Sequence, residues 1–355
     1  MRIQDIPAKA LESIRKGVVI PAYPLALNED NTIDEKYQRA IARYYLDAGA
    51  GGIAVAVHTT QFEIRDEETY LFEQVLQIAK EEFERFEMRT GKVPVRVAGI
   101  AGRTEQAVKE AKLIAGKGFH AALLSVAAFK EASNKEILEH CRDVAEEIPL
   151  VGFYLQPAVG GRKLDKAFWR EFAKIENVVA IKMAPFNRYY TQDVVHGVVE
   201  SGRSDEITLY TGNDDNILAD LMTEFEVVVD GVTHKKKIMG GLLGHWAVWT
   251  KKAVELLDKV HNEYYTANAN EILTLSAKVT DTNAAFFDAA NDYYGVIVGL
   301  HEVLYRQGLM RRIDTLAGEK LMQRQVDEID RIYAAYPELN DDEFVKANID
   351  KWFAD

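Results

Sequence analysis

Lys182 lies near the end of an apolar, partly β-branched run, VVAIKMAP (178–185). Such a run reads as a buried strand. A lysine carried into it is desolvated, which lowers its pKa and raises the share of free amine. A free amine attacks a ketone to give an imine, and the protonated imine is an electron sink for the neighbouring carbon–carbon bond. That chemistry needs a proton carrier near the imine carbon, and Tyr154 in FYLQP (153–157) offers a hydroxyl. The carboxylate of a 2-oxo acid needs hydroxyl or backbone N–H donors, and Thr59 and Thr60 in HTTQFEIRDEE (58–68) supply both. YTGNDDN (210–216) adds Gly212, Asp214 and Asp215. Each feature alone has a plain reading: a snorkelling lysine, a half-buried aromatic, ordinary turn chemistry. All of them at the ends of apolar runs is a pattern.

The elements that must position these residues alternate in texture. Short apolar runs recur at 17–23, 52–58, 93–99, 120–126, 149–155, 178–183 and 207–212, with amphipathic helical segments between them. This is the signature of βαβ units and a parallel sheet. An eighth strand is expected between 225 and 249, with a hairpin at Asp230-Gly231. Eight units make a (β/α)8 barrel; a doubly wound open sheet is the alternative. The even spacing, and the lack of a glycine-rich phosphate loop after the first strand, favour the barrel. AGAGGIA (48–54) precedes a strand, the wrong order for a dinucleotide site. In a barrel the chemistry belongs at the C-terminal strand ends, where Lys182, Tyr154, the threonines and the aspartates fall. Beyond about 250 only helical patterns remain. The organisation expected is an N-terminal extension (1–16), a barrel (17–250) and C-terminal helices (251–355) packed on it.

Here the sequence resembles the dihydrodipicolinate synthase / N-acetylneuraminate lyase family of Schiff-base-forming class I aldolases, from about residue 17 to 250. AIKMAP resembles the family's Gly-Ile-Lys segment, so the resemblance implies that Lys182 forms the imine. FYLQP resembles Tyr-Asn-x-Pro, placing the family's tyrosine on Tyr154 and its proline on Pro157; the separation from the lysine, 182 − 154 = 28, is about what the family keeps. HTTQFE resembles Gly-Thr-Thr-Gly-Glu, implying carboxylate binding by Thr59 and Thr60. YTGNDD resembles the sialic-acid-lyase loop Tyr-x-Gly-x-Asp-Glu, implying that Gly212, Asp214 and Asp215 meet a polyol tail. The resemblance also implies a homo-oligomer, a dimer or tetramer.

The departures have chemical meaning. Val159 stands where synthases carry the arginine that grips the aldehyde's carboxylate, and Arg162 is displaced by three. His58 and Gln61 replace the glycines that flank the threonines, and His58 becomes a candidate substrate contact, as does the segment Gly244-His245-Trp246. The relay tyrosine one subunit lends its neighbour corresponds best to Phe129, which carries no proton. Lysine biosynthesis is therefore not the expected role.

The bounds agree. The net charge of −13 over 355 residues does not invite nucleic acid or anionic membrane. Cys141 is the only cysteine, which fits a reducing compartment. No signal-peptide core and no long apolar run appear, so a cytoplasmic protein is expected. The eight histidines show no H-x-x-x-H pair or Cys/His cluster, so no metal is implied, and no organic cofactor either. The function expected is a lyase, aldolase or dehydratase, joining Lys182 to pyruvate or a 2-keto-3-deoxy sugar acid. The rival from another class is a non-catalytic binder of such acids that kept the pocket. A metal-dependent barrel enzyme is a distant third.

Overall fold

The computed structural model describes residues 1–262 and 269–354. The strands are β1 (Val19–Pro21), β2 (Gly52–Val55), β3 (Val95–Ile100), β4 (Ala121–Leu124), β5 (Leu150–Leu155), β6 (Val178–Ala184), β7 (Thr208–Thr211), β8 (Glu224–Val229) and β9 (Val232–Leu243). The seven apolar runs all became strands because each is buried along its length, the pattern of strands covered on both faces. The segment at 225–249 became a hairpin. Asp230 and Gly231 both adopt left-handed φ, 50° and 78°, as a two-residue hairpin turn requires. The distal half of β9 then pairs with β7 as the eighth parallel strand.

The chain divides into two compact units, Met1–Val18 with Val95–Leu242, and Val19–Pro94 with Leu243–Asp355. The first unit holds β3, β4, β5, β6, β7 and β9, hydrogen-bonded in parallel in that order, with β8 antiparallel to β9. Helices Thr104–Gly116, Asn134–Ala145, Lys166–Ala173 and Arg188–Glu200 connect its strands. The N-terminal helix Ala8–Lys16 belongs to this unit, where the Tyr210 hydroxyl donates to the Ile14 carbonyl at 2.9 Å.

The second unit holds β1 and β2, helices Glu35–Ala48 and Phe72–Thr90, and the C-terminal helices. Tyr44 donates to the buried Asp341 at 2.6 Å, and Arg43 donates to the carbonyls of Trp352 and Ala354. Within the C-terminal helical region, Asp288, Asp292 and Tyr293 take left-handed φ and turn the chain between Ala269–Phe286 and Val296–Arg306. The helical pattern read at 251–265 ends beyond the described residues, which stop at 262. Among the described residues, no helix is long and apolar enough to cross a membrane.

Candidate active site

Lys182 lies in mid-β6 and is only 7% exposed. In a parallel sheet, residues paired across neighbouring strands project to the same face, and successive residues alternate. Lys182 pairs with Phe153 of β5 and Tyr210 of β7. Its ammonium lies 4.5 Å from the centroid of the Phe153 ring. Gly212, just past β7, comes so close that a Cβ there would fall 2.5 Å from Lys182 Cε and 2.9 Å from Ala184 Cβ. A Cβ at 212 would force the Lys182 side chain to shift, so the glycine leaves the lysine its room. Burial depresses the Lys182 pKa to about 8, while the nearby Asp214 carboxylate pulls it upward. Desolvation wins.

Tyr154 does not meet Lys182. The expected pairing fails because β6 carries one extra residue: Leu150 pairs with Val178, but Val151 pairs with Ala180. Without that bulge at Val179, Tyr154 would stand opposite Lys182. With it, Tyr154 pairs with Met183 on the other face. A one-residue slip exchanges faces for every side chain that follows. The Tyr154 ring packs between Trp169 (5.4 Å) and Tyr190 (5.9 Å) of the covering helices, and its hydroxyl accepts a hydrogen bond from Leu164 N at 3.1 Å. Burial raises its pKa to about 12. In this structure Tyr154 thus packs on the helix side, away from the face that carries Lys182.

The loop after β7 is built around a buried carboxylate the sequence reading missed. Asp220 accepts from Thr211 Oγ1 at 2.7 Å, from Asn213 Nδ2 at 2.9 Å, from Asn216 Nδ2 at 2.9 Å, and from Arg188. Asn213 ties the loop onward. Its Oδ1 accepts from Phe186 N at 3.0 Å, just beyond β6, and its Nδ2 also reaches Thr191 Oγ1 at 3.1 Å. This frame holds Gly212 against the lysine and places Asp214, 5% exposed, where it acts electrostatically on Lys182. Asp215 is more open, with an oxygen 3.7 Å from Arg188, and burial raises its pKa. The signal in the sequence was the Asn/Thr-rich run TGNDDN followed by a carboxylate one helical turn on, at the spacing of side chains that share a face.

After β5, Val159 lies in the turn Pro157–Val159. Arg162 donates to the backbone carbonyls of Phe129 (2.6 Å) and Ala132 (2.7 Å). Phe129 is buried, 4.5 Å from the His140 ring.

The strand-two loop belongs to the other unit. Thr59 and Thr60 are buried, and both hydroxyls donate to the Tyr23 carbonyl, at 3.3 and 2.6 Å. Gln61, at the family's glycine position, keeps a glycine-like φ of 69°, and its Oε1 accepts from Leu316 N at 2.6 Å. His58 is half-buried, 6.0 Å from the Phe62 ring. His245 is buried against Phe286, and desolvation holds its pKa down to about 3, so it is neutral.

Comparison with known proteins decides the family. The model of the dihydrodipicolinate synthetase family matches residues 16–246, about 65% of the chain. The chain belongs to that family. It is 25% identical over 190 residues to 4-hydroxy-tetrahydrodipicolinate synthase of Staphylococcus saprophyticus, covering 53% of this chain and 60% of that one. With the Acetivibrio thermocellus enzyme of the same name it shares 31% over 132 residues, 36% of this chain and 43% of that one. The match thus spans at most about three-fifths of these relatives' length. Among solved structures, dihydrodipicolinate synthase from Oceanobacillus iheyensis superposes with a TM-score of 0.73 at 15% identity, covering 93% of this chain and 99% of that one. N-acetylneuraminate lyase from Fusobacterium nucleatum gives 0.70 at 16%, covering 91% and 99%. These likenesses show the fold, a (β/α)8 barrel with C-terminal helices. The structural match extends past residue 246 into the C-terminal helices.

Proposed function

We propose that this family member is a lyase, aldolase or dehydratase, that forms a Schiff base between Lys182 and pyruvate or a 2-keto-3-deoxy sugar acid. The observation that carries the reading is a buried lysine on a strand, its pKa brought down to about 8, with a glycine cleared beside its side chain. At pH 7 a pKa of 8 leaves roughly 10% free amine, against roughly 0.03% at the usual value. Membership of a family whose relatives include both synthases and lyases supports the same chemistry. Thr59 and Thr60 remain the groups proposed for the 2-oxo acid's carboxylate, which would compete with Tyr23 O for their protons. Asp215, with Gly212 and His58, is proposed to meet the rest of the substrate. A homo-oligomer and a cytoplasmic site of action are part of the same proposal; one solved relative, a synthase variant, is described as monomeric.

The aldehyde partner is proposed to be neutral or hydroxylated, not aspartate semialdehyde. A second carboxylate calls for a bidentate arginine. Val159 cannot serve, and Arg162, displaced by three residues, has its Nη1 tied to two backbone carbonyls. The rival reading, a binder without turnover, draws on the orientation of Tyr154, which removes the family's proton carrier from the lysine's face.

Incubation with pyruvate and borohydride, followed by intact mass and peptide mapping, tests the reading. One reduced adduct on the peptide containing Lys182, lost in Lys182→Ala, is the expected result. No adduct, or one that survives Lys182→Ala, would overturn it. Efficient turnover of aspartate semialdehyde would overturn the choice of aldehyde.

A further inference from the structure

If Tyr154 faces the helices, imine chemistry at Lys182 needs another proton carrier. Level with the lysine or beyond it toward the strand ends, the side chains of β5 to β7 that share its face are few: Phe153 and Leu155, Ala184, and Tyr210, with Gly212 beyond. Phe153, Leu155, Ala184 and Gly212 carry no titratable proton. Tyr210 is buried with its hydroxyl committed to the Ile14 carbonyl. Asp214 is two residues past the glycine that touches Lys182, is 5% exposed, and sits in a loop fixed from behind by Asp220 and Asn213.

We propose that Asp214 is the acid–base group of the imine chemistry at Lys182, a catalytic role rather than the holding of substrate hydroxyls. The assignment rests on the Schiff-base reading above. The proton balance asks for one such group. An ammonium, a carboxylate and a ketone become a protonated imine, a carboxylate and one water. Two of the three ammonium protons therefore leave with the ketone oxygen. Asp214 takes one proton as the amine is freed. The amine nitrogen then bonds to the carbonyl carbon, and the C–O π bond opens onto oxygen. Asp214 returns its proton to that oxygen, then takes one of the two protons on the now cationic nitrogen and passes it to the hydroxyl; the C–O bond breaks and water departs as the C=N bond forms. The same carboxylate, again ionised, can take a proton from C3 to give the enamine.

Pyruvate separates this role from hydroxyl binding, because pyruvate has no polyol tail. Wild type, Asp214→Asn and Asp214→Glu are compared at saturating pyruvate. The measurements are the borohydride-trapped adduct rate and exchange of the pyruvate methyl protons with D2O, with circular dichroism to show each variant is folded. Asp214→Asn should slow both by about 10²–10⁴-fold, the range of general acid–base catalysis, with the KM for pyruvate changed less than about threefold. Asp214→Glu should recover part of the rate. Both rates within about threefold of wild type in folded Asp214→Asn would overturn the assignment and leave the Lys182 reading intact. If Asp214→Asn does not fold, the Asp214→Glu variant decides: an unchanged rate law overturns, a slowed exchange at unchanged KM supports. No adduct in the wild type would overturn the Schiff-base reading, and this assignment with it.

Discussion

Two loops that follow strands organise polar groups in opposite ways. In the loop after β7, four side-chain donors from Thr211, Asn213, Asn216 and Arg188 converge on one buried carboxylate, Asp220. In the loop after β2, two hydroxyls converge on one backbone carbonyl, that of Tyr23. The first is an electrostatic frame: its centre carries charge, and its donors come from two segments, residues 211–216 and Arg188 on the helix after β6. The second is neutral, although it too is long-range, joining Thr59 and Thr60 to a carbonyl 36 and 37 residues away. A charged centre makes a frame stiff enough to hold Asp214 beside a lysine, and costly to break, because removing it strands several buried donors at once. A neutral centre can lose one bond at modest cost.

The largest expected effect follows from that contrast. Asp220→Ala should destabilise the protein by about 2–4 kcal/mol, since it leaves buried donors and part of the Arg188 charge without an acceptor. Thr60→Val, which removes a hydroxyl that donates to the Tyr23 carbonyl and accepts from Val57 N, should cost about 1–2 kcal/mol. Urea unfolding at pH 7 checks both, and equal losses would erase the distinction between the loops.

The second effect concerns pH and the lysine that the first loop serves. With a pKa of about 8, the ammonium of Lys182 loses its proton as pH rises through 8, well below the usual lysine range. The charged form is disfavoured by burial, so raising pH increases the reactive amine. Between pH 7 and pH 9 the free fraction climbs about tenfold, roughly 1.4 kcal/mol. The initial rate of borohydride-trapped adduct at subsaturating pyruvate should rise by that factor with a midpoint near 8. A midpoint near 10 would mean the lysine is solvated in solution.

Tyr154→Phe is the third. A proton carrier there would make turnover collapse by orders of magnitude. Packed between Trp169 and Tyr190, it should instead cost about 1 kcal/mol of stability through the bond from Leu164 N, with turnover within about twofold. Steady-state kinetics beside thermal unfolding separate the outcomes.

What the sequence made legible follows from what each signal depends on. The strands showed because apolar runs buried on both faces need no partner to be recognised. Lys182 showed because a charge in such a run is costly, wherever its neighbours lie. The facing of Tyr154 did not show, because it turns on the single unpaired Val179, and Val179 looks like any other residue of VVAIKM. Asp220 was hidden in ILADLM, where an acidic residue reads as the solvated side of a short helix. Its meaning appears only once Arg188 and Asn213 arrive from elsewhere in the chain.

The smallest effect sharpens the comparison at Gln61. This residue keeps a left-handed φ of 69° where the family's pattern has glycine, and its Oε1 holds Leu316 N at 2.6 Å. A side chain held in so sparsely populated a backbone region costs about 1–2 kcal/mol. One hydrogen bond returns about 1 kcal/mol. Gln61→Ala keeps the strain and loses the bond, so it should destabilise by about 1 kcal/mol. Gln61→Gly loses the same bond but relieves the strain, while adding up to about 1 kcal/mol of unfolded-chain entropy. The terms nearly cancel, and Gln61→Gly should fall within about 0.5 kcal/mol of wild type and above Gln61→Ala. If the two variants unfold at the same urea concentration, the backbone at 61 relaxes when the side chain is cut back. The loop after β2 would then owe its shape to the hydrogen bond with Leu316 rather than to the turn itself.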